Sequence, residues 1–328
     1  MTLYPYGVYM AGACVLALVW LILIMKKKGM KKGTASYLAL LALPLCVLLA
    51  RLGFCLSRWS WFVGKGAGWF FRFDKGGFMM YGAMAGLVLA CVLTGKITGQ
   101  KAASIADCAA GPGMLVLSLS CFGDLLAGAG YGQPLEEWFS VYAFGPEEYS
   151  HMSYFHLKDI SFFARFPFAV PDSFYGDYRW AVGMLMGLLG LCLTLWLIKE
   201  KTSREGNRAI LGITMATALA IGYDCLRMDD VTKWGVAGVV KAGEVIGAVL
   251  MVIVMAVCIA RAKEKKAAGT AAACLTLAGC MGIVAAMEFA LEQKIPFLLW
   301  MQMDLCYLVA LLACLGMILA VRTVWKRA

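Results

Sequence analysis

The 328-residue chain is 62% hydrophobic and 15% charged, with a mean hydropathy of +0.77, whereas an ordinary soluble domain is about a quarter charged. A soluble globular protein is therefore excluded. The formal net charge of +10 does not indicate nucleic acid, because the basic residues form short clusters between apolar runs, as they do in cytoplasmic loops of membrane proteins.

Apolar stretches of about 20 residues, enough to cross a bilayer core, recur along the whole chain. In order, they predict spans over 5–25, 36–57, 77–95, 104–127, 179–198, 209–227, 237–260, 268–291 and 298–321. The first ends in KKKGMKK and has no basic segment before it, which reads as a retained helix rather than a cleaved signal peptide. Lys26, Lys27, Lys28, Lys31 and Lys32 should stay in the cytoplasm and place the N-terminus outside. Alternation then brings Lys96 and Lys101, Lys199 to Arg208, Arg261 to Lys266, and Arg322 to Arg327 to the cytoplasmic side, the C-terminus with them.

The external loops include two long segments: 58–76, rich in Trp and Phe, and 133–178, rich in Tyr and Phe. Aromatic rings favour the headgroup layer, so both are expected on the outer leaflet, the second as a cap. His151 and His156 in that cap lack neighbouring ligands at a metal-binding spacing, and no metal site is expected. The thirteen cysteines avoid the polar stretch 133–177 and read as small apolar packers, not disulfides.

Charged side chains at membrane depth cost about 2.5–3.5 kcal/mol even on insertion scales, so they face the bundle interior and mark a site or pathway. Arg51, Asp124, Asp224, Arg227, Lys241, Glu244, Glu288 and Asp304 are of this kind. Counting about 1.5 Å per residue puts these charges, with Tyr6 and Tyr81, in the outer half; Asp107 alone lies at the cytoplasmic end. Asp224 and Arg227, and likewise Lys241 and Glu244, are three apart and could simply pair. Arg51 has no acid in its own span, leaving Asp124 or a lipid phosphate as its partner. Gly76 and Gly77, and the GDLLAGAGYG run over 123–132, lie at the same level; they could admit a phosphate to backbone N–H groups or allow close helix packing.

These pieces, in order, resemble the prolipoprotein diacylglyceryl transferase family over roughly residues 4–260. The motifs are PYGVYMAG, ARLGFCLSR, FDKGGFMMYGAMAG, SIADCAAGPG, CFGDLLAGAGYGQP, PDSFY, YDCLR and AGEVIG. Tyr6, Gly7, Arg51, Gly53, Gly76, Gly77, Gly132 and Arg227 keep family residues. The family's histidine falls on Tyr81, its signature arginine on Cys121 and the following asparagine on Asp124. A further family arginine falls on Ala220, a glutamate on Asp224 and a glutamine on Glu244.

The resemblance implies an all-α polytopic membrane bundle: a seven-helix transferase-like domain over 1–266, with the cap at about 133–178, and two additional helices over 267–328. It implies transfer of diacylglyceryl from phosphatidylglycerol to the thiol of a prolipoprotein lipobox cysteine, in the bacterial cytoplasmic membrane and without a cofactor. Phosphatidylglycerol or another anionic phospholipid and the prolipoprotein signal peptide are then the partners. Asp124 and Tyr81 are the candidate catalytic residues; Tyr6, Arg51, Gly76, Gly77, Cys121, Gly132 and Arg227 the phospholipid-binding ones; Asp224 and Glu244 polar supports. Two alternatives remain open: an inactive relative that binds phospholipid or lipoprotein precursor, and a transporter carrying protons on Glu244, Glu288 and Asp304.

Overall fold

The computed structural model describes residues 5–73, 77–126, 129–132, 169–171, 178–202, 204–228, 240–262, 267–292 and 303–327. Most of the 133–178 cap, with His151 and His156, lies outside the described residues, as does Gly76. Membrane-length helices run in order: α1 Pro5–Lys27, α2 Thr34–Ser57, α4 Met80–Thr98, α5 Ala102–Leu126, α6 Val182–Lys199, α7 Asn207–Leu226, α8 Ala242–Arg261, α9 Ala267–Leu291 and α10 Met303–Trp325. A short α3, Trp59–Lys65, and a 3-10 turn, Ala67–Phe71, follow α2. Among the described residues the departure from helix is an antiparallel ribbon of β1, Ala169–Pro171, and β2, Tyr178–Trp180, which pairs Ala169 with Trp180. The chain is an all-α polytopic membrane bundle, with each predicted span matched by a helix.

Three helices start later than the apolar runs suggest. The run from residue 77 becomes helical only at Met80, because Gly77 takes φ +80° and Met79 is extended. Such a φ suits glycine. At the head of α8, Lys241 is the extended N-cap, so the helix begins at Ala242 rather than 237. Helix α6 likewise begins at Val182 rather than 179, because Tyr178–Trp180 is strand and Ala181 is the N-cap; Asp304, in the first described turn of α10, has a side chain outside the described ones.

Two packed groups meet along α5. Its first half, with Ile105, Cys108 and Ala109, packs with Leu21 and Met25 of α1, Leu38 of α2 and Ala90 and Cys91 of α4. Its second half, with Met114 and Cys121, joins α6 to α10 around α7. The α7 span is 78% buried, against 22% for α1, so α7 is the axis of the bundle and α1 faces lipid. The exposed Leu16, Leu23, Leu40 and Val47 are explained by the bilayer, which is as apolar as they are.

In α4, Gly82 and Gly86, four residues apart, lie against α2 backbone at Leu49–Ala50 and Leu45–Cys46; a Cβ on Gly86 would stand 2.6 Å from Cys46 Cα. Backbone cannot step aside as a flexible side chain can. Gly86→Ala is therefore expected to destabilise the fold by about 3 kcal/mol, the upper part of the usual overpacking range, read as a lowered thermal midpoint in detergent.

The last helix, α10, docks on the rest at both ends. At one end Tyr307 of α10 donates 2.9 Å to the Leu226 carbonyl that closes α7. At the other, Arg322 donates to both Glu200 oxygens, at 2.7 and 2.9 Å, and the Trp325 indole donates 2.7 Å to the Asn207 carbonyl.

Candidate functional site

At the end of the bundle opposite the lysine clusters, the last turn of α5 meets the start of α1 and the end of α7. Gly123 makes room for two rings, since a Cβ there would stand 3.1 Å from Tyr6 and 3.2 Å from Tyr9. The next residue, Asp124, accepts a 2.6 Å hydrogen bond from the Tyr223 hydroxyl of α7. Cys121, fully buried one turn earlier, is close to Tyr6, Tyr9 and Asp124. The chain then threads between α6 and α7. Gly130 (φ +77°) accepts from the Gly183 N–H at 3.0 Å, Met228 donates to the Tyr131 carbonyl at 2.7 Å, and Gly132 donates to the Trp180 carbonyl at 2.8 Å. Tyr307 and Val182 occupy the space a side chain on Gly132 would need, so this run requires glycine for close packing.

The end of α7 carries the rest of the cluster. Arg227 lies with its guanidinium 5.0 Å from the Tyr223 ring centre and its Nε 3.4 Å from Asp224 Oδ1. This confirms the i, i+3 pairing that the spacing allowed. Asp224 and Tyr81 of α4 lie under the first turn of α8, in the space left by Gly243 and Gly247. The Tyr81 hydroxyl is buried and has no hydrogen-bond partner among the described residues. Glu244, on the same turn of α8, is 7% exposed. Lys241 forms its ion pair with Glu288 of α9, at 3.6 Å, rather than with Glu244 three residues along.

Arg51 is turned elsewhere. Only 2% exposed, it donates to the carbonyls of Trp69 (2.7 Å), Phe70 (3.1 Å), Arg72 (3.1 Å) and Gly77 (3.1 Å). One guanidinium thus gathers Trp69, Phe70, Arg72 and Gly77, and a side chain at Gly77 would press on its Nη1 and on Phe54. Tyr6, Cys121, Asp124 and Arg227 are therefore brought together around Tyr223, Tyr81 joins Asp224 and Glu244 beside them, and Arg51 with Gly77 forms the wall between α2 and α4. Sequence reasoning did not single out Tyr223, Gly243, Gly247 or Tyr307. A tyrosine directly before Asp224, and glycines four apart at the start of an apolar helix, were the available signals.

The lysine-rich end holds a second polar arrangement. A cavity of about 590 Å³ is lined by Lys28, Lys101, Arg204 and Arg208, with Asp107 and Glu205. Hydrogen bonds from Lys101 and Ser104 hold the Glu205 carboxyl below its ordinary range. Asp107 is committed to structure: from α5 it accepts the N–H groups of Gly206 (2.7 Å) and Ala209 (2.8 Å), capping α7 from another helix. Asp107→Ala should cost about 2 kcal/mol, read as a lower thermal midpoint and faster amide exchange at 206–209, with Asp107→Asn retaining part of the loss.

Fold and site together define a polytopic membrane protein with a buried polar cluster at one end of the bundle. The chain matches the family Prolipoprotein diacylglyceryl transferase over residues 1–261, and it belongs to that family. It is similar to the phosphatidylglycerol–prolipoprotein diacylglyceryl transferase of Geobacillus kaustophilus, 24% identical over 79% of this chain and 88% of the relative. The enzymes of that name from Bacillus velezensis and Clostridioides difficile are each 25% identical, over 41% and 39% of this chain. In those two cases the match spans about half of the relative, 49% and 51%. The relatives are bacterial, and the chain is a multi-pass bacterial membrane protein. Helices α9 and α10 lie beyond the family match.

Proposed function

We propose that the protein is a divergent phosphatidylglycerol–prolipoprotein diacylglyceryl transferase, with its N-terminus and polar cluster on the outer side of the cytoplasmic membrane. The observation that carries this reading is the gathering of Tyr6, Cys121, Asp124, Tyr223 and Arg227 at one point within the family region.

In the proposed reaction the lipobox thiol gives its proton to Asp124, which Tyr223 holds in place. The sulfur attacks the glycerol carbon bearing the phosphodiester, a carbon–sulfur bond forms, and the carbon–oxygen bond to phosphate breaks. Glycerol phosphate departs with the bonding electrons, its charge steadied by Arg227. Tyr6 orients the headgroup, Tyr81 backs the pocket from under α8, and Gly132 and the fully buried Cys121 shape it. Arg51 contributes by holding Trp69, Phe70, Arg72 and Gly77 beside α2, and Gly76 is carried over from the resemblance as a headgroup contact. Asp224 and Glu244 support Arg227 and Tyr81 from α7 and α8.

A non-catalytic relative that binds phospholipid or lipoprotein precursor is the second reading. It is favoured by the engagement of Arg51 with four carbonyls and by a tyrosine, sealed under α8, at the family's histidine position. Expression in a bacterium depleted of its own diacylglyceryl transferase separates the two. Transfer activity restores growth and lipoprotein maturation, whereas a membrane-inserted protein that restores neither favours the binding relative.

A further inference from the structure

Beside the proposed pocket, and built partly from a helix beyond the family match, is a buried group of three charges, of which only Glu244 enters the proposed transfer, as a support. Glu244 at the start of α8 and Glu288 near the end of α9 are 7% and 1% exposed, and Lys241 is 1% exposed. The two carboxyl groups are within hydrogen-bonding reach of each other. Lys241 has three N–H donors, and all three are directed at the end of α7: the carbonyls of Asp224 (2.6 Å), Cys225 (3.1 Å) and Arg227 (2.9 Å). It stands 3.6 Å from Glu288 Oε1 and so balances charge there without a hydrogen bond.

Both oxygens of Glu288 and Oε1 of Glu244 consequently lack a donor among the described residues. Buried carboxylate oxygens facing each other with no donor between them are unstable as two anions. A single proton on either acid supplies the missing donor and leaves one negative charge for Lys241. Among the described residues the surroundings offer no other relief. From α7, Asp224 is paired with Arg227 and Cys225 is buried; α9 adds Glu292, α10 adds Cys314, and α4 adds the Tyr81 phenol. No second cation reaches the two glutamates among these groups.

We propose that Glu244 and Glu288 form a proton-binding site inside the bundle, two carboxyl groups sharing one proton across the α8–α9 contact, with Lys241 balancing the remaining charge. The site ties α9 to the core, because Lys241 also gathers the end of α7 where Asp224 and Arg227 emerge. Loss of the shared proton would leave two anions against one ammonium and loosen that contact.

The test is infrared spectroscopy of the full chain in lipid nanodiscs at neutral pH, following the C=O stretch of protonated carboxyl groups. The wild type should show such a band, lost in both Glu288→Gln and Glu244→Gln, because either substitution leaves one carboxylate for Lys241 to balance. A band that survives either substitution, or a wild type with no protonated-carboxyl band, overturns a shared proton. If a glutamine variant fails to fold, Glu288→Asp decides: it keeps two carboxyl groups and should shift the band, and an unshifted band contradicts the assignment.

Discussion

Arg51→Ala is expected to lower stability by about 4 kcal/mol or more and to release the backbone at Trp69, Phe70, Arg72 and Gly77. A hydrogen bond to a charged group contributes about 1.5–3 kcal/mol, and Arg51 makes four to carbonyls that are part-buried. The four share one guanidinium, so their effects do not add fully; the carbonyls left behind still lose their donor where water is scarce. Arg51→Lys should recover little, since an ammonium on a flexible stem cannot span carbonyls that a planar fork reaches together. Thermal unfolding and amide exchange over 69–80 measure both effects. Full recovery by lysine would show that Arg51 provides only charge, as a phosphate partner would.

Asp124→Asn is expected to reduce diacylglyceryl transfer by about a hundred- to ten-thousand-fold, the usual contribution of a general base, while leaving the fold intact. Asparagine keeps an oxygen for the Tyr223 hydroxyl and so preserves the contact that places it. What it loses is the capacity to take a proton. Tyr223→Phe should have a smaller effect, because it leaves the base but removes its hydrogen bond. Phospholipid binding by native mass spectrometry should be unchanged in Asp124→Asn, which distinguishes lost chemistry from a lost pocket.

The helices were legible because each apolar run had to be about 20 residues long to cross a bilayer, a constraint that needs no knowledge of neighbours. The late starts of α4, α6 and α8 were not: ahead of α4, Phe78 and Met79 are as apolar as the helix they precede and only the backbone turn at Gly77 separates them. For the site, depth counting put these residues at one level of the bundle but did not give their partners. Spacing along one helix could show Asp224 with Arg227. It could not show Asp124 with Tyr223 or Asp107 with Gly206, each 99 residues apart, nor Lys241 reaching α9. Arg51 is the clearest case: a buried arginine without a local acid suggests an anion, yet backbone carbonyls satisfy it as well.

The most direct measurement is transfer by the purified chain in phosphatidylglycerol vesicles, with a lipobox peptide as acceptor and mass spectrometry as readout. A divergent transferase adds one diacylglyceryl group to the peptide cysteine and releases glycerol phosphate, and Asp124→Asn abolishes most of that gain. A well-folded chain that leaves the peptide unmodified, while an ordinary transferase modifies it in the same vesicles, contradicts the enzymatic account.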